Sequence, residues 1–148
     1  AFPPATLQAI TAAIAAGEQR HGGQVMFAVE ADLPLHAVWR GITPRQAAEQ
    51  AFAHLRTWDT RHNNGVLIYL LLADHAIEIV ADRGLSDRVS AAQWQRVCTH
   101  LREGLRGASP VDALRDAIDE VSSLVEGHFP ASTRSEDDAL PNAPQILG

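Results

Sequence analysis

Trp58–Leu85, WDTRHNNGVLIYLLLADHAIEIVADRGL, decides the fold. Val66–Leu72 is an unbroken, β-rich apolar run, the pattern of a central strand covered on both faces. Ala73-Asp74-His75 supplies a turn. Ile77, Ile79 and Ala81 then alternate with Glu78, Val80 and Asp82, which predicts a second, less buried strand. An antiparallel pair returns the chain to the edge it left. Arg61-His62-Asn63-Asn64-Gly65 is therefore expected beside Asp82-Arg83-Gly84, and this edge is the first candidate for a site.

Upstream, Pro3-Pro4 opens a helix with Leu7, Ile10 and Ile14 on one face, and Gly22-Gly23 closes it. In Gln24–Glu30, Val25, Phe27 and Val29 alternate with Met26 and Ala28, so both faces are apolar and a doubly covered strand is predicted. Ala31–Ile42 reads as a connection, with Trp39 expected to cap the core and room for a short extra strand within Asp32–Trp39. Thr43-Pro44 starts a helix, hydroxyl at the cap and Pro at the first helical position. Its expected buried stripe is Ala48, Ala51, Phe52 and Leu55, and its expected end lies near Trp58.

Downstream, Ser90-Ala91-Ala92-Gln93 has the form of a capping box. Trp94, Val97, Cys98, Leu101 and Leu105 keep helical spacing up to Gly107. Ser109-Pro110 starts a last helix with Leu114, Ile118, Val121 and Val125 inward, ending at Phe129-Pro130. Residues 131–148 are rich in Ser, Asp, Pro and Asn and read as a flexible polar tail after a domain spanning 1–130. The element order places the first two strands in a parallel βαβ unit and the third antiparallel to the second. The predicted fold class is α/β, a three-layer α/β/α sandwich on a small mixed sheet.

The 148 residues and 46% apolar content suffice for one globular domain. Net charge is −6, every basic residue other than His is Arg, and no basic stripe occurs, which argues against nucleic acid. Trp39, Trp58 and Trp94 read as packing anchors, since no basic groove accompanies them. Cys98 stands alone, so an internal disulfide and a cysteine-based zinc centre are excluded. No run approaches the roughly twenty apolar residues of a membrane span, so no membrane insertion is expected. The visible chain fits a cytoplasmic protein; because the numbering begins at Ala, export stays open.

Asp59, Asn63, Asn64 and Asp82 carry carboxylate and amide oxygens, the hard donors that calcium or magnesium takes. The spacing is not that of an EF-hand loop. Turn chemistry accounts for the same residues: Asn64-Gly65 as a turn, Asp59 as a cap, Asp82 paired with Arg61 or Arg83. Arg61 and Arg83 flank this edge as anion contacts or as surface ion pairs. No phosphatase cysteine loop, P-loop or other complete catalytic constellation is visible, and no organic cofactor is expected. His54, His62 and His75 fall on different elements and do not form a transition-metal set; His36 and His75, with Glu30, Asp32 and Asp74, mark a second edge where the parallel strands end.

Asn63-Asn64-Gly65-Val66-Leu67-Ile68, the hairpin after it, Asp82-Arg83-Gly84-Leu85, the helix carrying Trp94 and the closing His128-Phe129-Pro130 resemble the TPM domain family over residues 2–130. The family takes its name from a thylakoid lumen protein, a photosystem II repair protein and a nematode receptor modulator, and this chain resembles its single-domain bacterial members. The resemblance implies an α/β/α sandwich and, in some members, a divalent cation, usually calcium, at loops on one sheet edge. It implies two functions: a cation- and partner-binding domain that maintains membrane complexes, or a metal-assisted acid phosphatase acting on phosphomonoesters, an activity ascribed to plant members. Many members also carry a signal peptide and a trailing membrane helix, neither of which is visible here.

Overall fold

The computed structural model describes residues 3–107, 109–133 and 140–147. In chain order these form α1 (Pro4–Glu18), β1 (Gln24–Glu30), α2 (Leu35–Trp39), α3 (Pro44–His54), β2 (Gly65–Leu71), β3 (Ala76–Ala81), α4 (Arg83–Ser86), α5 (Ala91–Leu105), α6 (Pro110–His128), a 3-10 turn at Ala131–Thr133, and β4 (Gln145–Leu147). The sheet order is β3-β2-β1-β4. β1 runs parallel to β2, from Gln24 opposite Gly65 to Glu30 opposite Leu71, and β2 pairs antiparallel with β3, Val66 facing Ala81 and Leu71 facing Ala76.

Strand periodicity divides the core into two layers. Val25, Phe27, Val29, Val66, Ile68 and Leu70 face α1, α5 and α6, which contribute Ile10, Ile14, Trp94, Val97, Leu101, Leu114, Ile118, Val121 and Val125. Met26, Ala28, Leu67, Tyr69 and Leu71 face Ala47, Ala48 and Ala51 of α3. This is the expected α/β/α sandwich. The unequal side chains follow from unequal layers: three helices cover one face, whereas α3 approaches the other through alanines. Each fully buried Leu, Ile or Val on the three-helix side contributes roughly 1.5–3 kcal/mol. Arg20, just beyond α1, ties that helix to α6 through Asp119 at 2.6 Å and Glu126 at 3.1 Å.

The start signals act as the sequence indicates. Thr43 and Ser90 both make reciprocal capping boxes, with Gln46 and Gln93 respectively. α3 stops at His54, earlier than expected, because Arg56 turns left-handed at φ 59°. Arg56 N–H then bonds Ala53 O and Thr57 N–H bonds Phe52 O, which satisfies the last carbonyls of the helix.

Three expectations are corrected. Asp32–Trp39 holds no strand; it contains the short helix α2, set off by Pro34. Trp39 does not cap the core: it is 82% exposed, and α2 buries none of its residues. The fourth strand lies in the expected polar tail, where Gln145–Leu147 pairs parallel with Ala28–Glu30. Three residues are too few to show a period, but β1 otherwise presents an open row of backbone donors and acceptors that a strand can satisfy. Leu140 and Leu147 pack, partly buried, against the α3 layer. Positions 134–139 of that tail lie outside the described residues.

Candidate functional site

The hairpin brings its two polar loops together. Asp82 N–H donates to Gly65 O at 2.9 Å, and Gly84 N–H donates to Asn63 O at 2.7 Å. A Cβ at position 84 would clash with the backbone carbonyls of His62 and Asn63, so only glycine lets the loops approach this closely. Asn63 adopts φ 52° at the turn, a left-handed conformation that Asn tolerates well.

Asn64 is fully buried and joins three segments. Its N–H donates to Thr60 Oγ1 at 3.0 Å, its Nδ2 donates to Gly22 O at 3.1 Å, and its carbonyl accepts from Gln24 N–H at 3.3 Å. The Gly22 carbonyl fixes the amide orientation, because the flipped form would set two acceptors against each other. Oδ1 thus points elsewhere, and it is buried without a hydrogen-bond partner among the described residues.

Asp82 caps α4. Its Oδ1 accepts from Arg83 N–H at 2.8 Å, while its carbonyl accepts from Leu85 and Ser86 N–H, each at 2.9 Å. Its Oδ2, like Asn64 Oδ1, is buried with no hydrogen-bond partner among the described residues. The edge therefore holds two shielded oxygen acceptors, one anionic, on loops joined by direct backbone bonds.

The other expected site residues are placed differently. Asp59 is exposed and ion-paired with Arg56 at 3.0 Å, so its carboxylate is engaged outside the nook. Asn63 contributes its backbone carbonyl, and its side chain is exposed. Arg61 and Arg83 are both exposed on this edge, and Arg83 supplies the amide that Asp82 holds. His62 stacks on Phe129 with ring centroids 6.4 Å apart, and Arg88 lies 4.9 Å above the same Phe129 ring. At the second edge, Glu30 accepts from Tyr69 OH at 2.6 Å. Among the described residues no three His, Cys, Asp or Glu side chains gather as a metal group.

Sequence reading missed Gly22, Thr60, Arg88 and Phe129 at the first edge. The signal for Gly22 was the parallel pairing itself: a βαβ unit starts both strands at one edge, so the loop before β1 must meet the loop before β2. Phe129 arrives from the end of α6, and its carbonyl accepts from Gly22 N–H at 2.7 Å. No local pattern announces that contact.

The solved NMR structure of BA42 protein, from the psychrophilic bacterium Bizionia argentinensis, superposes on this chain with a TM-score of 0.78 at 24% identity. The match covers 99% of this chain and 95% of that one, and it shows a shared fold. Among curated proteins none matches. The TPM domain profile matches residues 1–124, most of the chain and the whole of the edge built by Asn64 and Asp82. The chain belongs to the TPM domain family.

Proposed function

We propose that this protein binds a divalent cation, calcium or magnesium, at the edge formed by Asn63-Asn64 and Asp82-Arg83-Gly84, and that it works as a cation- and partner-binding domain. The observation that carries the reading is the pair of buried, unbonded oxygens, Asn64 Oδ1 and Asp82 Oδ2. Buried polar atoms are ordinarily satisfied, and an anionic acceptor and an amide acceptor on two joined loops are the donor types a hard cation takes. Asn63, next in the chain to Asn64, has an exposed side-chain amide that can add a further oxygen. A water molecule would satisfy the same atoms but would leave the carboxylate charge uncompensated. For the partner, support comes from Leu35, Val38 and Trp39 of α2, large apolar side chains that are all exposed.

Calorimetry and thermal unfolding with calcium and magnesium test the cation. At a hundredfold excess over the dissociation constant, binding to the folded state adds about 2.7 kcal/mol of stability. Asp82→Asn keeps a competent helix cap but removes the charge, so the variant stays folded and loses the cation response. Neither heat nor a thermal shift at millimolar cation in the parent protein would overturn the reading. The same preparations should be assayed on an aryl phosphate, since hydrolysis routed through this edge would vanish with Asp82→Asn and with chelator.

A further inference from the structure

The opposite end of the sheet carries a different chemistry. Between the β2–β3 turn and the last turn of α5 lies a cleft of about 420 Å³, within the roughly 300–1,000 Å³ typical of small-ligand sites. Leu72, Ile77 and Leu105 supply apolar walls, and His75, Arg102 and Arg106 supply the polar groups. We propose that this cleft binds a small amphipathic carboxylate, its apolar body against the leucines and its carboxylate between the Arg102 and Arg106 guanidinium groups.

The two arginines carry the inference. They are four residues apart on one helical face, where like charges repel by a few tenths of a kcal/mol. Arg20 and Arg45, by contrast, are each held by carboxylates, Arg20 by Asp119 and Glu126 and Arg45 by Glu49 and Glu78. Neither the Arg102 nor the Arg106 guanidinium group is in a hydrogen bond or ion pair with a described residue. The C-terminus of α5 favours positive charge and accounts for arginine at this height on the helix. It does not account for both facing an apolar recess. A guanidinium fork matches a carboxylate in a bidentate arrangement, and a pair of forks beside leucine walls selects an acid with an apolar body over a bare anion. The overall charge of −6 repels anions from the rest of the surface, so an acid captured here must be held by this local pair. The cleft also lies at the carboxyl end of β2, the side on which open α/β sheets place their ligands. His75 stands at its rim with φ 50°, a left-handed backbone that His adopts more readily than most residues.

Octanoate is the probe, titrated into isotope-labelled protein and followed by amide chemical shifts. The expected result is saturable shifts at Leu72, His75, Ala76 and Leu105, with the edge at Asn64 and Asp82 unmoved. Acetate, which lacks the body, and octanamide, which lacks the charge, should each bind at least tenfold more weakly. Arg102→Gln/Arg106→Gln should weaken octanoate at least tenfold while leaving amide shifts away from the cleft in place, and Arg102→Lys/Arg106→Lys should recover part of the loss. Scattered or non-saturating shifts, equal affinity for octanamide, or unchanged affinity in the double glutamine variant would each overturn the proposal.

Discussion

Gly84 shows how one residue sets the distance between the two loops of the candidate edge. Its amide bonds Asn63 O at 2.7 Å, and the space where a side chain would begin is filled by two backbone carbonyls. Backbone cannot swing aside as a flexible side chain can, so Gly84→Ala must push the loops apart. Overpacking of this kind costs about 1–3 kcal/mol, measurable as a lower denaturation midpoint with an unchanged slope. The substitution removes no oxygen donor. If the nook between Asn64 and Asp82 is what holds a cation, Gly84→Ala should nevertheless weaken the cation-induced thermal shift, because it separates the two loops. Asn64 illustrates the limit of reading single residues. Asn before Gly looks like an exposed turn, yet Asn64 is fully buried and clamps Gly22. That role depends on a segment more than forty positions away, which no local pattern contains.

Among the elements, β4 gives the most direct test, because it closes the open side of β1. Truncation after Thr133 removes Leu140, Leu147 and the strand pairing of Ala28–Glu30. The loss should lower stability by roughly 1–3 kcal/mol, from two partly buried leucines and a freed row of backbone groups. It should also turn β1, apolar on both faces, into an exposed edge strand, which favours association between chains. Concentration-dependent light scattering in the truncated protein, absent from the full chain, is the expected signature; an unchanged midpoint and no association would show that β4 adds nothing. The elements legible in sequence were those with long periods or explicit start signals. β2 and β3 stood out through an apolar run, a turn and an alternation, and α3 and α5 through caps that the structure reproduces. β4 was hidden because three residues have no measurable period and its partner is remote in sequence. α2 was misread because Trp39 carries a large apolar side chain, and burial was inferred from residue type alone, although Pro34 and five helical residues leave α2 on the surface. The candidate site was half legible: strand pairing foretold which loops meet, but not that Asp59 would be taken up by Arg56.

For the molecule as a whole, the two-layer core sets how stability depends on alkaline pH. Cys98 lies inside the three-helix layer, and burial, aided by the nearby Glu78 charge, pushes its thiol from 9.0 up to about 11. Tyr69 lies in the α3 layer, and burial, followed by its hydrogen bond to Glu30, raises its phenol as well. Both groups stay protonated in the folded state at pH values where the unfolded chain has begun to release its protons. Between pH 9 and 11 the unfolded state therefore binds fewer protons at Cys98, and unfolding becomes easier as pH rises. The thiol's contribution is fully present below pH 9 and is lost as pH climbs through 11. The loss is on the order of 2 kcal/mol from this group, with Tyr69 adding to it from pH 10 upward. Urea unfolding at closely spaced pH values from 8 to 11 should show a falling free energy. Cys98→Ala lowers stability at pH 8 by leaving a small cavity, but its free energy should decline less steeply toward pH 11. Parallel curves for the two proteins would remove Cys98 as the cause. The same burial makes the thiol a poor nucleophile near neutrality, so a thiol reagent at pH 7.5 should label Cys98 only as fast as the protein opens.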